Sequence, residues 1–454
     1  MRSHLQRQTE SLLSIQEWRI RLALWGGAVL VGLAATAFAL VSEEANGVFR
    51  WIIGISPYLA LVVAPAGMML GVWLTRRLFA GAQGSGIPQV LAACEAGTST
   101  ALRDSILSLR IAVGKILITV LGLCTGASIG REGPTVHIGA AVMYNMGKLM
   151  RFPPHYMERA LILAGGAAGI SGAFNTPLAG IVFAIEEISR SFEEKTSGIV
   201  LTAVIFSGVV AMMLLGNYSY FGTTEAQFSS ISDWVVVPVC GIVGGLLGGL
   251  FSQILVHGSR RLAPLMRQHP LRVAGACGLA VAILGLLSGN LSYGTGYDEA
   301  KQIITMSGEL PPSYPAFKIM ATIASYLSGI PGGIFAPSLA AGAGFGASLA
   351  SWFPNVPVSA VIILGMAGYF TGVVQTPITA FVIIMEMTSN QEMLLPLMAV
   401  AFIAHGTSHL VCPEPIYRAL AEEFMSKRDE PAEKPDDGNN PAAAGVETTE
   451  TPKA

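Results

Sequence analysis

Six residues of this chain return two hundred positions later: Gly165, Gly172, Thr176, Pro177, Glu186 and Ser189 recur as Gly365, Gly372, Thr376, Pro377, Glu386 and Ser389. An echo of that length means that one structural unit is used twice, and any fold must house both copies. A second pairing, at an offset of 203, sets Gly126-Ala127-Ser128-Ile129-Gly130-Arg131-Glu132-Gly133-Pro134 against Gly329-Ile330-Pro331-Gly332-Gly333-Ile334-Phe335-Ala336-Pro337. Paired apolar segments broken by glycine and proline are the pattern of a transporter whose site lies between two repeats at mid-membrane.

The composition agrees. Only 12% of residues are charged and 52% are hydrophobic, too few polar groups to give 454 residues a water-exposed surface. Stretches at 22–41, 58–75, 105–124, 197–215, 234–256, 271–289 and 391–411 come near the ~20 residues that cross a bilayer. Those at 85–97, 132–147, 177–188, 334–350 and 378–387 begin at glycine or proline and predict partial or tilted helices, whose ends must face protein or a water-filled cavity. The expected fold is an all-α polytopic membrane protein, a first repeat over 21–216 and a second over 217–426.

Residues 1–20 carry Arg2, Arg7 and Arg19 with no long apolar run and predict an amphipathic surface segment. Ala37-Phe38-Ala39 looks like a signal-peptidase site, but the apolar run before it exceeds the ~7–15 residues of a signal h-region, so the first span is read as permanent. Residues 427–454 lose nearly all apolar character, predict disorder, and leave no regulatory domain after the membrane part. Arg76, Arg77, Arg260, Arg261 and Arg267 mark cytoplasmic ends, while 217–233 holds no Lys or Arg and is expected outside. Both termini are then cytoplasmic. A net charge of −2 gives no case for nucleic acid, and five cysteines, mostly in apolar segments, are read as buried thiols.

Gly84-Ser85-Gly86-Ile87-Pro88, Gly130-Arg131-Glu132-Gly133-Pro134 and Gly333-Ile334-Phe335-Ala336-Pro337 share a design: a glycine turn, then a proline able to open a helix. Free N–H groups and roughly half a unit of positive charge at each helix start suit a small anion, which partial charges can hold and still release. Ser85 adds a hydroxyl, as an ordinary N-cap also would. Glu132 is an ionisable group in an apolar segment and so a functional candidate, with a salt bridge to Arg131 as the plainer reading. Its carboxylate can occupy the anion's place, and protonation would free that place. Glu186 and Glu187 fall about two and a half turns along a helix from Pro177, with one of them expected to end it near water. Glu186 recurs as Glu386 and reads as structural. Glu187, replaced by Met387 in the second copy, is the better functional candidate.

With these turns in order, and with Asn175-Thr176-Pro177-Leu178-Ala179-Gly180 before the glutamate pair, the chain resembles the CLC chloride channel and transporter family over nearly all of 20–425. The resemblance implies an inverted-repeat helical fold, a homodimer with one pore per subunit, and exchange of chloride for protons across a membrane, expected to be a bacterial inner membrane. It implies that Ser85 and Tyr417 donate hydroxyls to a central chloride beside the backbone N–H groups of Ile334 and Phe335. Glu132 then matches the gating glutamate, and Glu187 the internal proton-transfer glutamate of the family's exchangers. Serine in the first turn implies chloride preference. Lys115 matches a buried family lysine, but the acidic residue that often follows the first turn is absent, leaving Gln89-Val90-Leu91. Lys115 and Arg131 are therefore read as electrostatic support. No cofactor or metal is expected.

Three alternatives stay open on sequence. A passive chloride channel would use the same fold. Gly169-Ile170-Ser171-Gly172 resembles the nucleophile stretch of intramembrane serine proteases, with His405 or His409 as base. His405, His409 and Cys412 have a helical spacing that could bind zinc.

Overall fold

A computed structural model describes residues 15–95, 97–152, 154–189, 194–306 and 308–425. The expected tail over 427–454, and most of the expected amphipathic start, lie outside the described residues; residues 15–20 run on into the first long helix.

Among the described residues the chain is helical, with only two isolated β-bridges. The first half holds α1 (Ile15–Ile55), α2 (Ala60–Arg77), α3 (Ile87–Cys94), α4 (Thr100–Ile106), α5 (Leu109–Cys124), α6 (Glu132–Leu149), α7 (Pro154–Phe174), α8 (Pro177–Phe183) and α9 (Glu194–Leu215). The second holds α10 (Val236–Gln268), α11 (Pro270–Leu287), α12 (Tyr297–Ile304), α13 (Tyr314–Leu327), α14 (Phe335–Ala350), α15 (Val358–Val374), α16 (Pro377–Thr388), α17 (Leu394–Val411) and α18 (Ile416–Met425). Several helices of the second half follow the order of the first, α2 matching α11, α3 matching α12, α6 matching α14 and α8 matching α16, while α4 and α18 have no such counterpart. The repeat mates α2 and α11 pack directly on each other, as do α8 and α16.

The seven expected spans correspond to the seven helical segments that are long and apolar enough to cross a membrane, from Trp18–Ile55 to Leu394–Val411. The five short helices start where proline or glycine was read as a break. Pro88, Pro177 and Pro377 occupy the first turns of α3, α8 and α16, where the missing N–H costs nothing. Broken helices cluster in the interior, since their loose ends need protein partners.

Small residues let the central helices touch. A Cβ on Gly139 of α6 would strike the Gly165 carbonyl of α7, and their repeat mates Gly342 and Gly365 bring α14 and α15 together in the same way. Without a hydrophobic drive between helices in lipid, such close backbone packing supplies much of the association.

Candidate functional site where three glycine turns meet

The three glycine-proline turns, far apart in sequence, are joined at one point. Gly130 and Gly333 exchange backbone hydrogen bonds of 2.7 Å in each direction, and Gly332 N donates to Gly84 O at 3.3 Å. Gly130 and Gly333 match at the offset of 203, so the pair joins equivalent positions of the two halves. It brings the starts of α6 and α14 face to face.

Glu132 is the first residue of α6 and is fully buried. Its carboxylate lies over Gly130 and interacts with the backbone N–H groups of Glu132, Ala336 and Arg131, while neither oxygen has a hydrogen bond of good geometry. A carboxyl group therefore sits between two helix N-termini, each offering partial positive charge. The salt bridge to Arg131 is not formed. The Arg131 guanidinium instead donates to Ala39 O and faces a cavity of about 350 Å³ lined by Glu43, Asn46, Tyr218, Tyr220 and Thr295.

Ser85 stands at the opening of α3, its hydroxyl buried and without a partner. It packs on Gly133 so closely that a Cβ there would occupy the position of Ser85 Oγ. Tyr417, near the start of α18, likewise buries a hydroxyl with no partner, and α18 packs on α3. The Tyr417 ring is in electrostatic reach of both Glu132 and Glu187. Buried hydroxyls are seldom left unsatisfied, so these two make their surroundings a candidate site. Ile334 and Phe335 open α14 and are buried, and among the described residues their N–H groups take no part in the bonds that knit the turns. The Phe335 ring rests edge-on against Phe370 at 4.4 Å. A second cavity, about 870 Å³, approaches from the other side, lined by Gly84, Ser85, Tyr326, Arg76, Arg260 and Arg267.

Glu187 differs from expectation in its local form. The helix from Pro177 ends at Phe183 and widens into a π-turn, Ala184–Ser189, which carries Glu187 into the core at 1% exposure. Such turns re-aim side chains and recur at functional sites. Glu186 points the other way, to the start of α16. Lys115, whose partner the sequence left open, donates from Nζ to the carbonyls of Ala82, Gln83 and Gly84 at 2.9, 3.3 and 3.1 Å.

Sequence reading missed Lys318 and Glu299, although Lys318 follows Lys115 at the same offset of 203 that links the second and third turns. Two alternatives lose their basis. The Ser171 hydroxyl donates to Val204 O at 3.0 Å, as a packing contact between helices would. Among the described residues no group of three His, Cys, Asp or Glu side chains is placed to hold a metal ion, and the Cys412 thiol is directed to Glu414 O.

The profile of one family, described as voltage gated chloride channel, matches residues 66–409. The H(+)/Cl(-) exchange transporter ClcA of Cronobacter sakazakii is 28% identical over 437 residues, 91% of each chain. That of Salmonella paratyphi C is 30% identical over 413 residues, covering 86% of this chain and 83% of the relative. Among solved structures, a slow cyanobacterial Cl-/H+ antiporter superposes with a TM-score of 0.78 at 23% identity, over 90% of this chain and 99% of the other. A CLC-type fluoride/proton antiporter superposes at 0.74 and 22%, over 89% and 98%.

Proposed function

The chain belongs to the voltage gated chloride channel family, whose members are transporters and channels rather than enzymes, and on that premise we propose that it exchanges chloride for protons across a bacterial membrane. One observation carries the reading: a buried carboxylate, Glu132, lodged between the starts of α6 and α14 where an anion would be held. Chloride entering from the Arg260 cavity, taken as the cytoplasmic one from its arginines, meets the Ser85 and Tyr417 hydroxyls and the N–H groups of Ile334 and Phe335. To pass further it must displace the Glu132 carboxylate, which leaves its place when it takes a proton. One side chain is then both gate and proton carrier.

Protons need a route the chloride does not take, and Glu187 supplies a titratable group inside the core. Tyr417 stands in reach of both glutamates and marks where the two routes converge. By the family resemblance a glutamate at this position goes with exchange rather than passive conduction. The halves are expected to sit with both termini inside. A homodimer with one pore per subunit completes the proposal. Glu186 and Glu386 are only half-buried in a single copy, and a carboxylate open to lipid is costly, which supports a second copy over that face.

The decisive experiment reconstitutes the chain in liposomes and records chloride and proton flux together. Chloride flow driving protons uphill is the expected result; chloride flow with none identifies a channel. Because a fluoride/proton antiporter shares the fold, the same vesicles with fluoride in place of chloride test the anion, with chloride expected to be the faster.

A further inference from the structure

A Glu132 side chain that gives up its place must be received somewhere. Inward lies the anion's own route, past Ser85 and Tyr417. On the other side is the cavity of about 350 Å³ lined by Arg131, the next residue along the chain, and a carboxyl group fits in it. Arg131 would favour the charged carboxylate there. A neutral acid has one O–H to donate, and a hydroxyl can accept it.

Three phenols line that cavity, Tyr218, Tyr220 and Tyr297. Tyr220 belongs to the stretch between α9 and α10 and is 2% exposed. Its ring meets Phe174 of α7 edge-on at 5.1 Å, and Phe174 rests on Phe335 at 5.7 Å, one residue before the Ala336 N–H that the Glu132 carboxyl group approaches. Tyr297 of α12 and Phe221 pack on the same ring at 4.8 and 4.9 Å. The segment is tied to both halves of the fold: Asn175 Nδ2 donates to Tyr218 O at 3.0 Å, and Phe221 N donates to Met387 O at 2.9 Å.

The three phenols differ in what they face. Tyr220 is in electrostatic reach of Glu132, Arg131, Tyr297 and Tyr218, and its hydroxyl has no hydrogen-bond partner among the described residues. Tyr218 faces Arg131, Tyr297 and Glu43 of α1 instead. The Tyr297 hydroxyl already accepts from Lys301 Nζ at 3.2 Å. At the rim Arg50 and Asp298 are paired at 2.9 Å. Glu132 thus has a tyrosine on each side, Tyr417 of α18 toward the inner cavity and Tyr220 toward the outer one.

We propose that Tyr220 positions the open gate: its hydroxyl accepts the O–H of the protonated, displaced Glu132 side chain at the outer cavity and holds it there until the proton leaves to water. No proton passes to the tyrosine. In its lodged form the Glu132 carboxyl group makes no hydrogen bond of good geometry, so the Tyr220 hydroxyl favours the displaced form alone. The inference rests on the gating role proposed above for Glu132.

The test is chloride-driven proton flux from liposomes holding the full chain, recorded at a series of outer pH values. Tyr220→Phe keeps the ring and its packing and removes only the hydroxyl. The neutral gate then loses a partner that the charged gate does not use, so more acid is needed to open it, and the outer pH of half-maximal proton flux is expected to fall by roughly 0.5–1 pH unit. Tyr218→Phe is expected to leave that midpoint in place. A merely structural Tyr220 would give the phenylalanine variant the wild-type midpoint, and that outcome overturns the proposal, as does an equal shift in Tyr218→Phe. If Tyr220→Phe does not fold, the infrared C=O band of the Glu132 acid in the wild type, identified by its loss in Glu132→Gln, decides: the frequency of a hydrogen-bonded acid supports the proposal and that of a free acid overturns it. A wild type that moves no protons removes the gating role of Glu132 and this inference with it, whereas coupled wild-type flux with an unmoved Tyr220→Phe midpoint removes the inference alone.

Discussion

Glu186 and Glu386 each cap the helix that leads to the other. Glu186, past the end of α8, accepts from the N–H groups of Ile378 and Thr379 at 3.0 and 2.6 Å, at the start of α16. Glu386, near the end of α16, accepts from Leu178 and Ala179 at 3.0 and 2.7 Å, at the start of α8. The exchange uses repeat-related carboxylates to satisfy repeat-related helix ends, and it ties the halves beside the π-turn that aims Glu187.

Removing either cap leaves two N–H groups and a helix dipole without their partner. Glu186→Ala and Glu386→Ala are each expected to cost roughly 2–3 kcal/mol, a charged cap being stronger than a neutral one. Thermal unfolding in detergent measures this. Equal melting temperatures for wild type and both variants would show that the caps contribute nothing.

Glu132→Gln imitates the protonated gate. Chloride flux is expected to persist while coupled proton movement and the pH dependence of flux disappear, because the side chain no longer gains or loses a proton. Proton uptake driven by a chloride gradient in this variant would take Glu132 off the proton route.

Glu187→Gln is expected to keep chloride flux and lose proton flux. Glu186→Gln, whose side chain serves the cap, should keep both and lower stability. Loss of proton transport in the second variant and not the first would exchange the two roles.

Ser85→Pro deletes a hydroxyl and a backbone N–H at the opening of α3 and is expected to weaken chloride preference relative to nitrate in anion-exchange assays. An unchanged ratio counts against Ser85 as a ligand.

Gly133→Ala tests the same hydroxyl from the opposite side. The added Cβ occupies the place of Ser85 Oγ, so anion affinity should fall by roughly tenfold, about 1.4 kcal/mol, with Ser85 itself intact. Calorimetric titration with chloride reads this directly, and wild-type affinity in Gly133→Ala would mean that Oγ does not face the anion.

Much of this was legible in the residues alone. The echo at two hundred residues announced two copies, the apolar runs located the seven membrane-length segments, and Pro177 and Pro377 marked where short helices begin. The recurrence of Glu186 as Glu386 set it apart from Glu187. Those features are local: hydrophobic runs, proline's fixed φ and glycine's freedom act within a few residues and so leave a trace along the chain.

What the folded structure alone decided concerns partners hundreds of residues apart. Nothing near Gly130 names Gly333 as its hydrogen-bonding partner, nothing near Glu386 names Leu178, and nothing near Lys115 says that three carbonyls of another loop receive it. Arg131 stands beside Glu132 in sequence yet turns to a different cavity. The π-turn that carries Glu187 inward also lay beyond a reading of even helical periodicity. The physical reason is shared: a buried polar group must find its partner in space, and where that partner lies is set by how two repeats pack, which single-chain periodicity does not record.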